Sequence, residues 1–218
     1  MTDTPPRYEF RVFAPDLSLM EARIRTLAPL GRYRESLETY LLVPGRNEVN
    51  LKLRDGALEL KQLIERRWGL EQWRPGFRLD LPADGRALAG HLKDLVNLGQ
   101  GLDEGGPQDA EGFVALLAEA QPGVATASLF KKRFGFVLDD CLAEVVEVLI
   151  NGARLTSVAL ESERPRAVLA LREKLGMDGW DNLSYVLAAE RVLGRAPLPE
   201  DAFYNARNRL VRDGGDGP

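Results

Sequence analysis

Residues 50–63, NLKLRDGALELKQL, contain an Asp-Gly pair between two stretches that alternate apolar and polar side chains. A period of two marks a strand with two unlike faces, and Asp-Gly is a strong hairpin turn. Leu51 and Leu53 fall on one face of the first strand, with Asn50, Lys52 and Arg54 on the other. In the return strand, 57–64, Glu59 and Lys61 oppose Leu58 and Leu60. Two neighbouring strands thus each carry a charged face. This feature narrows what the chain can fold into, because charges removed from water need partners.

The pattern recurs along the chain. In RYEFRVF, 7–13, Arg7, Glu9 and Arg11 fall opposite Tyr8, Phe10 and Val12. Further strands are expected at 38–43 (ETYLLV), within 69–82, and across 124–163, where FKKRFGF, CLAEVVEVLING and ARLTSVALESE follow one another. Asn151-Gly152 supplies a second hairpin turn. Helices are expected at 17–30, closed by Gly31, then at 83–99 and 109–121 on either side of the glycine-rich stretch GLDEGGPQ, and finally at 164–176 and 181–194, the last with Asp181 as N-cap. The polar tail after Pro197 is expected to fray.

Seven or eight strands, joined mostly as antiparallel hairpins, make an α+β chain. One wet face is ordinary in an antiparallel sheet, and cross-strand Lys–Glu pairs on it contribute only ~0.2–1 kcal/mol. Five or six strands with the same charged face call for more. Closing the sheet into a barrel, with helices over its apolar outside, places that face in the interior. There the charges require counter-charges, metal ions or a charged ligand.

The single histidine, His91, excludes histidine triads and multi-histidine metal sites, and the single cysteine, Cys141, excludes an intrachain disulfide and a cysteine metal site. A bound metal would therefore need carboxylate ligands, which suits Mg²⁺ or Mn²⁺. The 218 residues, 44 % hydrophobic and 28 % charged with a net charge of −4, describe an ordinary soluble domain and give no global sign of nucleic-acid binding. No apolar run reaches membrane-spanning length and the N-terminus has no signal-like apolar region, so a cytoplasmic protein is expected. Cys141 is expected to be a small buried hydrophobe and His91 structural or exposed. Trp68 and Trp73 either pack or stack on a base, packing being the simpler reading.

In their order along the chain, these stretches resemble the CYTH superfamily, the triphosphate tunnel metalloenzymes. RYEFRVF is similar to the family's Glu-x-Glu-x-Lys strand, Glu38-Thr39-Tyr40 to its Asp-Thr-Tyr segment, and NLKLRDGALELKQL to its Arg-x-Arg hairpin and Leu-x-Lys strand. FKKRFGF resembles its Lys-x-Arg strand, SVALESE its closing Glu-x-Glu strand, and DNLSYVLA the helix that follows. The resemblance spans about 7–193, with a helical insertion at about 83–121, C-terminal helices at about 165–193 and a tail at 194–218.

It implies an antiparallel eight-stranded β-barrel, a tunnel, with helices packed outside. It implies phosphate binding by Arg11, Lys52, Arg54, Lys61, Lys131 and Arg133, and divalent-metal binding (Mg²⁺ or Mn²⁺) by Glu9, Glu161 and Glu163. Glu59 and Glu144 share the tunnel face as ligands or counter-charges. The implied chemistry is metal-dependent hydrolysis of a phosphoanhydride in inorganic triphosphate, a nucleoside triphosphate or thiamine triphosphate. Some relatives instead cyclise ATP. The expected partner is a small triphosphate- or polyphosphate-containing molecule, with an RNA 5′-triphosphate end the one nucleic-acid exception. Arg7 stands where the family has its first glutamate, which removes one metal ligand and keeps a second reading open: a module that binds a polyphosphate or nucleotide without efficient turnover.

Overall fold

Both expected two-residue turns close hairpins. Asp55 and Gly56 have φ of 51° and 71°, and Asn151 and Gly152 of 46° and 86°. Left-handed backbone at both central positions is what a type I′ turn requires, and Gly and Asn or Asp adopt it at least cost. In this computed structural model residues 5–93 and 108–198 are described. The far end of the helix expected at 83–99, most of the glycine-rich stretch and most of the tail lie outside them.

Eight strands are present among these residues: β1 (Arg7–Ala14), β2 (Arg32–Leu42), β3 (Val49–Arg54), β4 (Ala57–Arg67), β5 (Leu70–Asp80), β6 (Ala125–Leu138), β7 (Cys141–Ile150) and β8 (Ala153–Ser162). They close into an antiparallel barrel in the order β1-β5-β4-β3-β2-β6-β7-β8. β2 is longer than the sequence reading, which began it at residue 38; all of Arg32–Leu42 pairs with Gly135–Ala125 of β6. Its first half reads as a polar loop because its inward-facing positions are Arg32, Arg34 and Ser36.

Among the described residues five helices pack against the barrel: α1 (Ser18–Leu27), α2 (Gly85–Leu92), α3 (Ala110–Ala120), α4 (Pro165–Lys174) and α5 (Tyr185–Val192). The apolar outside of the strands has two coats. Phe10, Val12, Val145, Val158 and Leu160 pack under α1 and α4, against Met20, Ile24, Val168 and Leu171. Leu41, Leu51, Leu58 and Leu60 pack under α2 and α3, against Leu88, Leu92, Phe113 and Leu117. Asp84 and Asp109 cap α2 and α3 by accepting from backbone N–H groups of their first turns.

The third core lies inside the barrel. Leu42, Ala127, Leu129, Val146, Val148, Ile150 and Leu155 meet Tyr185, Val186, Ala188 and Ala189 of α5. These strand residues sit on the same inward faces as the charged positions, one end further along. Thus α5 stops one end of the barrel and leaves the charged half open at the other. Its N-cap is Ser184, whose side chain accepts from Leu187 N–H, and not Asp181 as the sequence suggested. The residue between them explains the shift: Asn182 Oδ1 accepts from Arg11 N–H and its Nδ2 donates to the Glu9 carbonyl, pinning that segment to β1 before the helix begins. No helix among the described residues is long and apolar enough to cross a membrane.

Candidate functional site

The charged faces converge on a cavity of about 190 Å³ lined by Glu9, Arg11, Tyr40, Asn50, Lys52, Arg54, Glu59, Lys61, Trp73, Lys131, Arg133, Glu144, Glu161, Ser184 and Tyr185. All six cations expected from the sequence are there, from β1, β3, β4 and β6. Of the expected carboxylates, Glu9, Glu59, Glu144 and Glu161 are there as well. Glu163 is not: it follows the end of β8 and is exposed.

Glu38 organises the centre, and the sequence reading did not include it among the site residues. It is fully buried, and its Oε2 accepts from Lys131 Nζ at 2.9 Å and from Lys52 Nζ at 3.3 Å. Its Oε1 accepts from Arg133 Nη2 at 2.5 Å and lies 3.5 Å from Arg54 Nη1. Burial alone would push its carboxyl up, but Lys131, Lys52 and Arg133 together hold it far below the usual carboxylate range. The signal was its position two residues before Tyr40, on the inward face of β2.

The lysines feel the opposite force. Burial outweighs the attraction of Glu38 and lowers both, Lys52 to about 8. Lys131 Nζ also accepts company from two rings: it donates to Tyr40 Oη at 3.0 Å and lies 3.4 Å from the centroid of Tyr185. Arg11 lies over the same Tyr185 ring at 4.6 Å. Cations on an aromatic face are held by its quadrupole without being neutralised. Tyr185 therefore closes the cavity with a surface that keeps two charges pointed into it.

A second group forms around β1 and β8. Glu9 and Glu161 are directly opposed across the two strands, and Glu71 opposes Glu9 from β5. Three carboxylates in adjacent strands repel one another. Arg11 relieves part of this: it donates to Glu9 Oε1 from Nε at 2.7 Å and lies 3.6 Å from Glu144 and 3.7 Å from Glu161. Burial and then Glu9 push the Glu161 carboxyl up to about 7, while Arg11 and Lys61 overcome burial at Glu9 and hold it low. Of the opposed pair, Glu161 is thus the one that takes up a proton more readily. Glu71 is engaged by Arg66 and Trp73.

Lys61 has no ion-pair partner among the described residues, in contrast to the other five cations. The described residues contain no group of three or more metal-ligating side chains placed to hold an ion. Two carboxylates are nonetheless a workable share for Mg²⁺, which is commonly held by one or two of them with the remaining oxygens coming from phosphate and water. The opposed Glu9 and Glu161 are the pair that could supply that share, since a cation between them would relieve their mutual repulsion.

The remaining singled-out residues lie elsewhere. His91 stacks on Phe77 at 4.6 Å, outside the strands. Cys141 is buried in the α1–α4 coat. Trp68 is exposed at the β4–β5 turn beneath Arg67, whereas Trp73 is buried, lines the cavity and donates to Glu71. Arg7 opposes Trp73 across β1 and β5.

No protein-family model matches the chain, and no curated protein does. Solved structures do match. The PH1012 protein from Pyrococcus horikoshii aligns at 15 % identity over 84 % of this chain and 98 % of its own, with a TM-score of 0.49. HpAC1 from Hippeastrum, described as revealing a dominant triphosphatase activity, aligns at 14 % identity over 88 % of this chain and 98 % of its own, with a TM-score of 0.48. The Pct1 RNA triphosphatase of S. pombe aligns at 8 % identity over 95 % of this chain and 84 % of its own, with a TM-score of 0.35. The structural neighbours of this barrel thus include triphosphatases, at low identity throughout.

Proposed function

We propose that the cavity binds a triphosphate-containing small molecule and hydrolyses one of its phosphoanhydride bonds with the help of a divalent cation. The observation that carries this reading is the convergence of six cationic side chains, from four strands, on one cavity. Lys131 and Lys52 meet the ligand deepest, next to the Tyr185 stop, and Arg133 and Arg54 meet it nearer the mouth. Glu38 holds these four in place and is in turn relieved by the ligand of carrying them alone. Their fixed charges would stabilise negative charge that builds on the phosphoryl oxygens, with no reorganisation at the moment of reaction. Mg²⁺ or Mn²⁺ held by Glu9 and Glu161 would polarise those oxygens from the β1–β8 side. The test is release of phosphate from inorganic triphosphate and ATP with Mg²⁺, Mn²⁺ or EDTA, with Glu161→Gln as the control. Metal-dependent release that the variant lowers by orders of magnitude supports the reading.

A binding module without turnover is the second reading, and one contact favours it. The Arg11 guanidinium already sits among Glu9, Glu144 and Glu161, where a metal would otherwise be drawn. On that reading triphosphate raises the melting temperature without metal, Lys52→Ala or Arg133→Ala weakens binding, and no phosphate is released.

A further inference from the structure

The outer faces of β2, β6 and β7 carry apolar side chains that neither helical coat takes in. Leu37 is directly opposite Phe130, and Phe130 is directly opposite Leu149, so the three form a row across the strands. They alternate with the inward-facing Glu38, Lys131 and Val148 and therefore point away from the lumen. Leu37 is 66 % exposed, and none of the three belongs to a core among the described residues. Two rows along, Tyr33 is 49 % exposed and opposes Phe134, at the edge of the α1–α4 coat, with ring centroids 5.2 Å apart. Scattered exposed apolar side chains are ordinary, but contiguous ones set among polar groups mark a contact surface.

Between the two apolar pairs lies a row of charges. Glu35 is directly opposite Lys132, and Lys132 is directly opposite Glu147. Opposite charges in such positions can pair across the strands. Here they do not: among the described residues Lys132 and Glu147 have no ion-pair partner, and the Glu35 carboxylate accepts from the Tyr33 hydroxyl and from no cation. The resulting pattern is complementary to itself. A two-fold axis that runs between β2 and β6, parallel to them, lays β2 of one copy over β6 of another. Glu35 then meets the second copy's Lys132, and Lys132 its Glu35. In the flanking rows Leu37 meets Phe130 and Tyr33 meets Phe134, each twice. Sheets packed face to face keep their strand directions within about 30°, which such an axis satisfies.

We propose that the outer face of β2 and β6 is the interface of a two-fold symmetric dimer of this chain, with Glu35 and Lys132 setting its register. Charge complementarity selects a second copy as the occupant. Each copy carries a net charge of −4, so two copies repel at long range unless opposite charges meet locally, and this face supplies them reciprocally. The apolar rows on either side supply the buried area, and the charges exclude other alignments, in which like would meet like. An axis parallel to the strands leaves their direction unchanged, so the open ends of both barrels face the same side of the dimer. The proposal does not depend on what the lumen binds.

The test is sedimentation equilibrium of the full chain from about 1 to 100 μM at physiological salt, for the wild type, Glu35→Lys, Lys132→Glu and an equimolar mixture of the two variants. The wild type is expected to reach twice the mass of the chain, with a Kd on the order of 10 μM or tighter. Each variant alone places two like-charged contacts across the axis and is expected to dimerise at least tenfold more weakly. The mixture is expected to dimerise like the wild type, because every contact between unlike copies is again of opposite sign. The mismatch inside each copy persists in the mixture, so regained association reports the contact between copies. A wild type that stays monomeric gives the face to a different partner and overturns the proposal. A dimer that either variant retains alone, or a mixture that stays monomeric, overturns it as well. A far-ultraviolet spectrum unchanged from wild type certifies that the variants are folded.

Discussion

Lys131 Nζ donates to Glu38 Oε2 at 2.9 Å with both side chains excluded from solvent, and the same carboxylate serves Lys52, Arg133 and Arg54. One anion thus holds four cations at the heart of a barrel. Removing a single member of a buried charge cluster costs more than the cluster contributes, because the others are left uncompensated.

Glu38→Gln is accordingly expected to lower unfolding free energy by about 3 kcal/mol, measured in urea at neutral pH. The loss is limited because Lys131 and Lys52, already lowered by burial, can shed protons. Added triphosphate should raise the melting temperature of this variant by more than that of the wild type, since the ligand supplies the missing negative charge. An equal rise in the two proteins would mean that the ligand does not reach these cations.

Lys52 sets a pH dependence with a definite sign. Its folded value is about 8 against an unfolded value near 10.5, because burial disfavours its charged form. Below pH 8 it is protonated in both states and contributes no slope. Between pH 8 and about 10.5 the unfolded chain binds the extra proton, so stability of the free protein rises through that window. Triphosphate affinity moves the other way, falling above pH 8 as Lys52 loses its charge. Titrations at pH 7, 8 and 9 check this, and Lys52→Met should flatten both trends.

How much of this was legible from residues alone depends on where each side chain's partner lies. The hairpins at Asp55-Gly56 and Asn151-Gly152 and the inward positions of Lys52, Arg54, Lys61, Lys131 and Arg133 follow from local alternation, which a sheet preserves. Glu38 is marked only by its inward position on β2, two residues before Tyr40; its role, to accept from cations of β3 and β6, depends on partners in two other strands. The start of β2 escaped because Arg32, Arg34 and Ser36 make an inward face that reads as loop. Glu163 pairs with Glu161 in the sequence pattern, but residues at i and i+2 share a face only while the strand lasts, and β8 ends at Ser162. The stopping of the barrel by α5 depends on which apolar residues of β6, β7 and β8 point inward, which period-two patterning cannot distinguish from outward ones when both faces are apolar.

Glu161 and Glu163 provide an internal comparison. Burial and the facing Glu9 hold the Glu161 carboxyl near 7, so above that pH the free protein keeps a buried like-charged pair. The sign follows: the folded state binds the extra proton between about 4.5 and 7, and stability from this group is lost as pH rises through that range. Glu161→Gln should therefore raise the melting temperature at pH 8 without metal, yet remove any stabilisation by Mg²⁺ or Mn²⁺. Glu163→Gln, on an exposed position, should leave both unchanged. Loss of metal stabilisation in Glu163→Gln but not in Glu161→Gln would move the cation site off the β1–β8 pair.

Tyr185 separates the ring from its hydroxyl. The hydroxyl oxygen is buried and has no hydrogen-bond partner among the described residues, an arrangement that costs stability. Tyr185→Phe removes that cost and keeps the ring face that Lys131 and Arg11 lie against. It should unfold at the same or higher urea concentration, by up to about 1 kcal/mol, and bind triphosphate within about twofold of wild type. Tyr185→Ala removes the face and the stop together. Phe13 and Tyr40 lose their neighbour at 5.0 and 6.0 Å, and a cost of about 3–5 kcal/mol follows for truncating a buried aromatic. Because the barrel end then opens, triphosphate should bind at least tenfold more weakly at a temperature where the variant is still folded. Weaker binding in Tyr185→Phe as well would assign the contact to the hydroxyl and not to the ring.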